Sequence, residues 1–308
     1  MDINELLESF FGKDYLEKVP KEKISQFHIA KNRLMSPATE LDTQSVKLYS
    51  PIKTDTHHGS ITFPAFHPPK SQGLQLDVIS KAIHKNNVEA GWWNDLHTGE
   101  PLRRNKHEIL GLIASELYEA FEGERKDKQD THLPQYKNSC VEMADAIIRI
   151  FDYCGKYQVN PAYLIQDDFE NNNLMAMTRY PDIVSQNIEK LEAESFAISP
   201  QSLFHLESVK NYCHNLTNLN TKDSDGNIFS KIFRISSLLG LLSFVEINEK
   251  DTKELENTII SGVFIMILDY CCRQKYEVIN AMVDKLIYNR HRADHKKESR
   301  LESGGKKN

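Results

Sequence analysis

Residues 107–123 read HEILGLIASELYEAFEG, and residues 137–157 read KNSCVEMADAIIRIFDYCGKY. In both stretches apolar residues recur every three or four positions, the period of an amphipathic helix. Each also carries two acids three apart: Glu116 and Glu119 in the first, Glu142 and Asp145 in the second. Side chains at i and i+3 share one helix face, so each pair forms a small anionic patch. The flanking strings LGLIA and AIIRIF predict two largely buried helices, and four like charges cannot be buried without cations. A divalent ion resolves the conflict. Oxygen-only ligation suits Mg2+ or Mn2+ better than Zn2+, which prefers His or Cys. A lone ExxE is usually no more than solvent-facing acids. ExxE paired with ExxD across 22 intervening residues favours a metal site. The second helix continues the same face through Arg149 and Asp152, at +4 and +7 from Asp145.

Working outward, helical periods dominate from about residue 74, with turn signals between them: LQLDVISKAIHKNNVEAG before the two acidic helices and PAYLIQDDFENN after them. Gly91, the TGEP stretch at 98–101, Gly123 and Gly155 stand where helix ends are expected, and Pro161 suits a first helical turn. A second series follows: SLFHLESVKNYCHNLTN, KIFRISSLLGLLSFVEI, TKELENTIISGVFIMILDYCCRQKY and VINAMVDKLIYNRHR. Strand patterns are scarce after residue 74. The expected architecture is all-α.

The two series look like copies of one unit. ILGLI at 109–113 matches LLGLL at 238–242, IIRIFDYC at 147–154 matches FIMILDYC at 264–271, KYQV recurs as KYEV, and His84 has a counterpart in His214. The shared order carries the argument, since any one match is weak. The domain expectation is therefore an N-terminal extension over 1–72, a four-helix unit with the acids over 73–175, a linker over 176–200 and a degenerate unit over 201–308. Aligning Asp152 with Asp269 sets Ile259 and Gly262 opposite Glu142 and Asp145, so the second unit cannot build the acid cluster. Aligning Tyr157 with Tyr276 sets Gln166, Phe169 and Glu170 opposite Lys285, Tyr288 and Asn289, so the first lacks the basic tail. Each copy keeps what the other dropped, which a pseudo-dimer sharing one site explains. The stretch TIISGVFIMIL, apolar over most of its circumference, would serve as core.

Bulk composition narrows the function classes. The 308 residues are 40% hydrophobic, enough for one large or two ordinary cores. The net charge of -6 offers no global basic field for nucleic acid, although the last twenty residues are locally basic. The N-terminus MDINELLESFFGKDY lacks a basic region before an apolar run, and no stretch approaches about 18 consecutive apolar residues. The expectation is a cytoplasmic protein without membrane or nucleic-acid partners. Five cysteines without CxxC spacing suggest small buried hydrophobes rather than disulfides or zinc ligands. Residues 1 to about 70 carry His57, His58 and His67 among Gly, Ser and Pro, expected as exposed loop histidines rather than metal ligands.

Three strings, HKNNVEAGWWNDLHTGE, RRNKHEILGLIASELYEAFEGERK and VEMADAIIRIFD, together with KLIYNRHRADHKKESRLESGGKK, give the chain a family likeness. It resembles the MazG-like branch of the all-α nucleoside triphosphate pyrophosphohydrolases, a superfamily that includes dimeric dUTPases and dCTP pyrophosphatases. The resemblance runs from Ile79 to Tyr157 and resumes at Lys285. It implies that Glu116, Glu119, Glu142 and Asp145 ligate Mg2+, with Mn2+ as a substitute, beside the phosphates of a nucleoside triphosphate. It implies hydrolysis to monophosphate and pyrophosphate, with those acids as the catalytic set. Taken alone the basic tail would be a solvated terminus. With the resemblance, Lys285, Tyr288, Asn289, Arg292, His295, Lys296 and Lys306 become phosphate-binding candidates. His84 and Trp93 fall where related enzymes line the base pocket, although a Trp pair is as often core. Related proteins are commonly oligomers, so a fused pair is expected as a monomeric pseudo-dimer or a homodimer. A partly degenerate pair is also compatible with a regulator that binds a nucleotide without hydrolysing it.

Overall fold

Three helices surround the acids, and their sequences explain their ends. In the computed structural model, α1 spans Leu76–Glu89, with Leu76, Ile79, Ala82 and Ile83 on its buried face. It stops before Gly91, whose φ of 78° is a left-handed turn that side chains with a Cβ resist. Helix α2, Lys106–Arg125, is capped by the Asn105 side chain, which accepts from the His107 N–H at 2.9 Å. Its buried residues Ile109, Leu110, Ile113, Glu116, Leu117, Ala120 and Gly123 form one stripe. Helix α3, Asn138–Tyr157, is buried almost all round and ends on Gln158 in the left-handed region.

The remaining described helices are α4 (Asp182–Ala193), α5 (Pro200–Asn220), α6 (Ile228–Ser243), α7 (Lys253–Arg273), α8 (Val278–His291) and the short α9 (Lys297–Leu301), with a 3-10 turn at Ala293–His295. The structure describes residues 76–165, 182–220, 228–243 and 253–302. These all belong to one compact unit running from Pro69 to Asn308. Among the described residues the only extended pairings are the isolated bridges Asn94–Pro101 and Gln129–Lys137. The described fold is all-α.

Helix α3 is the hub, packed against α1, α2, α7 and α8. Helix α7 packs against α5 and α6, while α1 meets α5 and α2 meets α6. Phe151 of α3 and Phe264 of α7 cross edge to face at 5.4 Å. By length and composition α7 is the one described helix able to cross a membrane, yet its stretch Ile259–Phe264 is buried within the fold. Four of the five cysteines are buried, Cys272 is half-buried, and all five are free.

Several local expectations need correction. Gly123 and Gly155 do not end helices; each lies two residues inside one. Close packing explains them. A Cβ on Gly155 would stand 2.3 Å from the Ser80 carbonyl oxygen, and one on Gly123 would stand 2.3 Å from Asn138 Oδ1. Pro161 opens turns through Ile165 rather than a helix. The expected linker over 176–200 contains α4, which packs on α5 and α8. His57, His58, His67 and Lys306 lie outside the described residues, as does the His214 side chain.

Candidate metal centre

Helices α2 and α3 turn their acids toward one another. Glu116, Glu119 and Glu142 each place a carboxylate oxygen within 4.8 Å of the others, close enough to share one ion. Glu116 and Glu142 are 6% and 8% exposed, whereas Glu119 opens to solvent. Such a donor set fits a hard divalent cation: three carboxylates, no sulfur and no imidazole.

The fourth predicted ligand stands apart from this trio. Asp145 Oδ2 is held by Lys285 Nζ at 2.8 Å, and Lys285 is itself 5% exposed. Arg149, one turn further along α3, brings its Nε to 2.5 Å from Glu116 Oε1. With all four carboxylates ionised, the two protein cations facing them would leave two negative charges, the charge of one divalent ion. Burial, then the neighbouring Asp145, Glu116 and Glu119, push the Glu142 carboxyl up to about 8 against the opposing pull of Lys285. Burial likewise raises Asp145, with Lys285 and Arg149 opposing. Burial opposes the Lys285 charge, but Asp145, Glu142 and Asp130 outweigh it and raise that ammonium.

A polar chain fixes Glu142. Asn138 donates one amide to Glu142 Oε1 at 2.8 Å and to Asp130 Oδ2 at 3.2 Å. The other Asp130 oxygen accepts the backbone N–H groups of His132 and Leu133 at 2.9 and 2.8 Å. Burial opposes ionisation of Asp130, yet these donors hold its carboxyl below the usual range. Sequence inspection missed Asn138, Asp130 and His132. The available signal was Asp130 itself, two residues ahead of the His-Leu-Pro turn, where an Asx turn is natural.

The phosphate candidates divide. Lys285 reaches the acids through Asp145, and Tyr288, one turn further along α8, stacks on His132 at 4.8 Å with the planes 23° apart. Arg292 lies 5.7 Å from the Tyr288 centroid and grips Asp294 through two bonds at 2.8 and 2.6 Å. Asn289 is half-buried, its Oδ1 without a partner among the described residues. His295 packs edge-on against Trp92 at 5.1 Å, where Arg300 covers the indole at 3.6 Å, and Lys296 is exposed.

The base-pocket candidates form a structural cluster instead. Trp93 is 1% exposed and donates its indole N–H to both Asp152 oxygens at 3.1 Å. His84 Nδ1 meets the same carboxylate at 2.7 Å and sets its ring edge-on to Trp93 at 5.0 Å. Lys156 and Arg104 stand 5.0 and 5.4 Å from the indole centroid. In this arrangement the indole is core and offers no open face to a base. Asp152, which sequence placed on the acidic stripe, anchors this cluster about 10 Å along the helix from Asp145.

No protein-family profile, curated protein or solved structure matches the chain.

Proposed function

We propose that this protein is a Mg2+-dependent nucleoside triphosphate pyrophosphohydrolase of the MazG-like type, working in the cytoplasm. The observation that carries this reading is the convergence of Glu116, Glu119 and Glu142 from two buried helices, with the Lys285 ammonium brought to their edge on Asp145. A bound Mg2+ or Mn2+ would neutralise phosphate charge and make its water more acidic. The protein groups supply the rest. Asn138 and Arg149 fix Glu142 and Glu116. Glu119, exposed and without a side-chain partner among the described residues, is the carboxylate left to orient the attacking water and accept its proton. Lys285, released from Asp145 or shared with it, pairs with a phosphate oxygen. Water oxygen bonds to phosphorus, the anhydride bond breaks, and pyrophosphate leaves with the bonding electrons.

The duplication belongs to the same reading. In a pseudo-two-fold pair, contacts are reciprocal, and an element near the axis meets its own counterpart. The contacts α1 with α5, α2 with α6 and α3 with α7 are compatible with such an axis. Side chains follow it approximately: Tyr153 donates to Glu256 at the start of α7, while Tyr276 bonds Ser139 at the start of α3 at 2.7 Å. Such a chain is complete as a monomer, with a homodimer the other arrangement.

The deciding assay measures Mg2+-dependent release of pyrophosphate, rather than phosphate, across the common ribo- and deoxyribonucleoside triphosphates. Glu119→Gln keeps the fold and loses the turnover. A full panel without turnover in Mg2+ or Mn2+ overturns the hydrolase. The engagement of Glu116 and Asp145 by Arg149 and Lys285 favours a second reading, a regulator that binds nucleotide without hydrolysing it. Tight nucleotide binding with no product over hours selects that alternative.

A further inference from the structure

The loop between α2 and α3 presents one aromatic residue to solvent under unusual constraint. His132 is exposed, so burial does little to hold it. Its backbone N–H is nevertheless pinned by the buried Asp130, and the same carboxylate is tied through Asn138 to Glu142. On its other side the imidazole lies flat on Tyr288, one helical turn from Lys285. The network that positions an acid of the metal cluster therefore also positions this ring. Stacking fixes the ring plane but uses neither nitrogen, and neither has a hydrogen-bond partner among the described residues. Lys285 and Arg292 lie 5.9 and 5.7 Å from the Tyr288 centroid, so the imidazole joins two cations around one phenol ring.

We propose that His132 is a substrate-binding residue whose ring N–H donates to the polyphosphate beside the acid cluster, an inference that rests on the hydrolase reading above. An imidazole between a tyrosine face and a phosphate gains from both, since the π face favours partial positive charge and the anion accepts the N–H. A base-stacking role is less well supported. The Tyr288 ring takes one imidazole face, and Lys285 and Arg292, cations paired with Asp145 and Asp294, flank the same ring.

The test compares His132→Phe, which keeps the stack and removes the donor, with His132→Ala, which removes both. Two quantities are read: KM and kcat for a triphosphate the wild type hydrolyses, and the dissociation constant of inorganic pyrophosphate with Mg2+ by calorimetry. Both variants should weaken pyrophosphate and raise KM about tenfold, the worth of one charge-assisted hydrogen bond, with kcat within about twofold. If His132→Phe matches wild type while His132→Ala is impaired, the ring only packs and the proposal is overturned. Equal behaviour of all three proteins overturns it as well. A wild type that turns over nothing yet binds pyrophosphate in a His132-dependent way sinks the hydrolase and keeps this site; binding of neither sinks both.

Discussion

Lys285→Met offers the sharpest probe of how the acids tolerate burial. The substitution keeps most of the side-chain volume and removes the ammonium from Asp145, whose side chain is 14% exposed. Removing one partner of a buried ion pair costs about 3–5 kcal/mol, because the other charge is left uncompensated. The partial exposure of Asp145 argues for the lower bound, about 3 kcal/mol. For a unit of this size each kcal/mol shifts Tm by about 2–4 °C, so the variant should melt about 6–12 °C below wild type in EDTA. Titrated Mg2+ should then raise the variant's Tm more than the wild type's, because four carboxylates face Arg149 alone. At a hundredfold excess over Kd the ion returns about 2.7 kcal/mol. Differential scanning fluorimetry with and without Mg2+ reads both effects, and Lys128→Met at an exposed position serves as the silent control. A Lys285→Met protein that melts with wild type in EDTA refutes the reasoning, since the ammonium would then hold nothing together.

Three further outcomes follow from the same geometry. The Glu142 pKa of about 8 lies above the unfolded carboxyl value, so in the absence of metal the folded state holds the extra proton and stability falls as pH rises toward 8. Mn2+ must displace that proton, so its affinity should climb by up to about tenfold per pH unit and flatten above about pH 8; a flat profile from isothermal titration would count against the buried cluster. Gly155→Ala should lose about 1–3 kcal/mol in urea denaturation, because its methyl meets the fixed Ser80 carbonyl. Gly111→Ala, with open space around it, should gain up to about 1 kcal/mol; the reverse order would contradict the close approach of α1 to α3. Trp93→Phe should cost about 1–3 kcal/mol by removing the indole donor from the buried Asp152, which then keeps only His84, while leaving the ranking of bases unchanged. Altered base preference at unchanged stability would put the indole back in a base pocket.

Which of these features could be seen in the letters depends on the range of the interaction. The acid pairs were legible because i, i+3 spacing is a property of one helix, and burial of their flanks follows from local periodicity. Their convergence across α2 and α3 followed from the adjacency of two apolar helices. The cations were harder. Lys285 was visible as part of a basic tail, but its pairing with Asp145 spans 140 positions and depends on α8 packing against α3, which no local pattern encodes. The glycine errors have the same origin. Gly123 and Gly155 look like helix ends because glycine weakens a helix, whereas here the missing Cβ is used where another segment approaches from elsewhere in the sequence. Trp93 shows the converse case. A tryptophan beside turn residues is equally readable as a base platform or as core, and what separates the two is an acceptor for the indole N–H, which Asp152 supplies from 59 positions away. That acceptor takes Asp152 out of the acidic stripe, so the face that sequence presents as one continuous row divides into a turn facing the acid cluster and a structural turn about 10 Å apart. The split bears on mechanism. Charge removed at Asp152 should unsettle the α1–α3 packing and leave Mn2+ affinity unchanged, whereas charge removed at Glu142 should do the reverse.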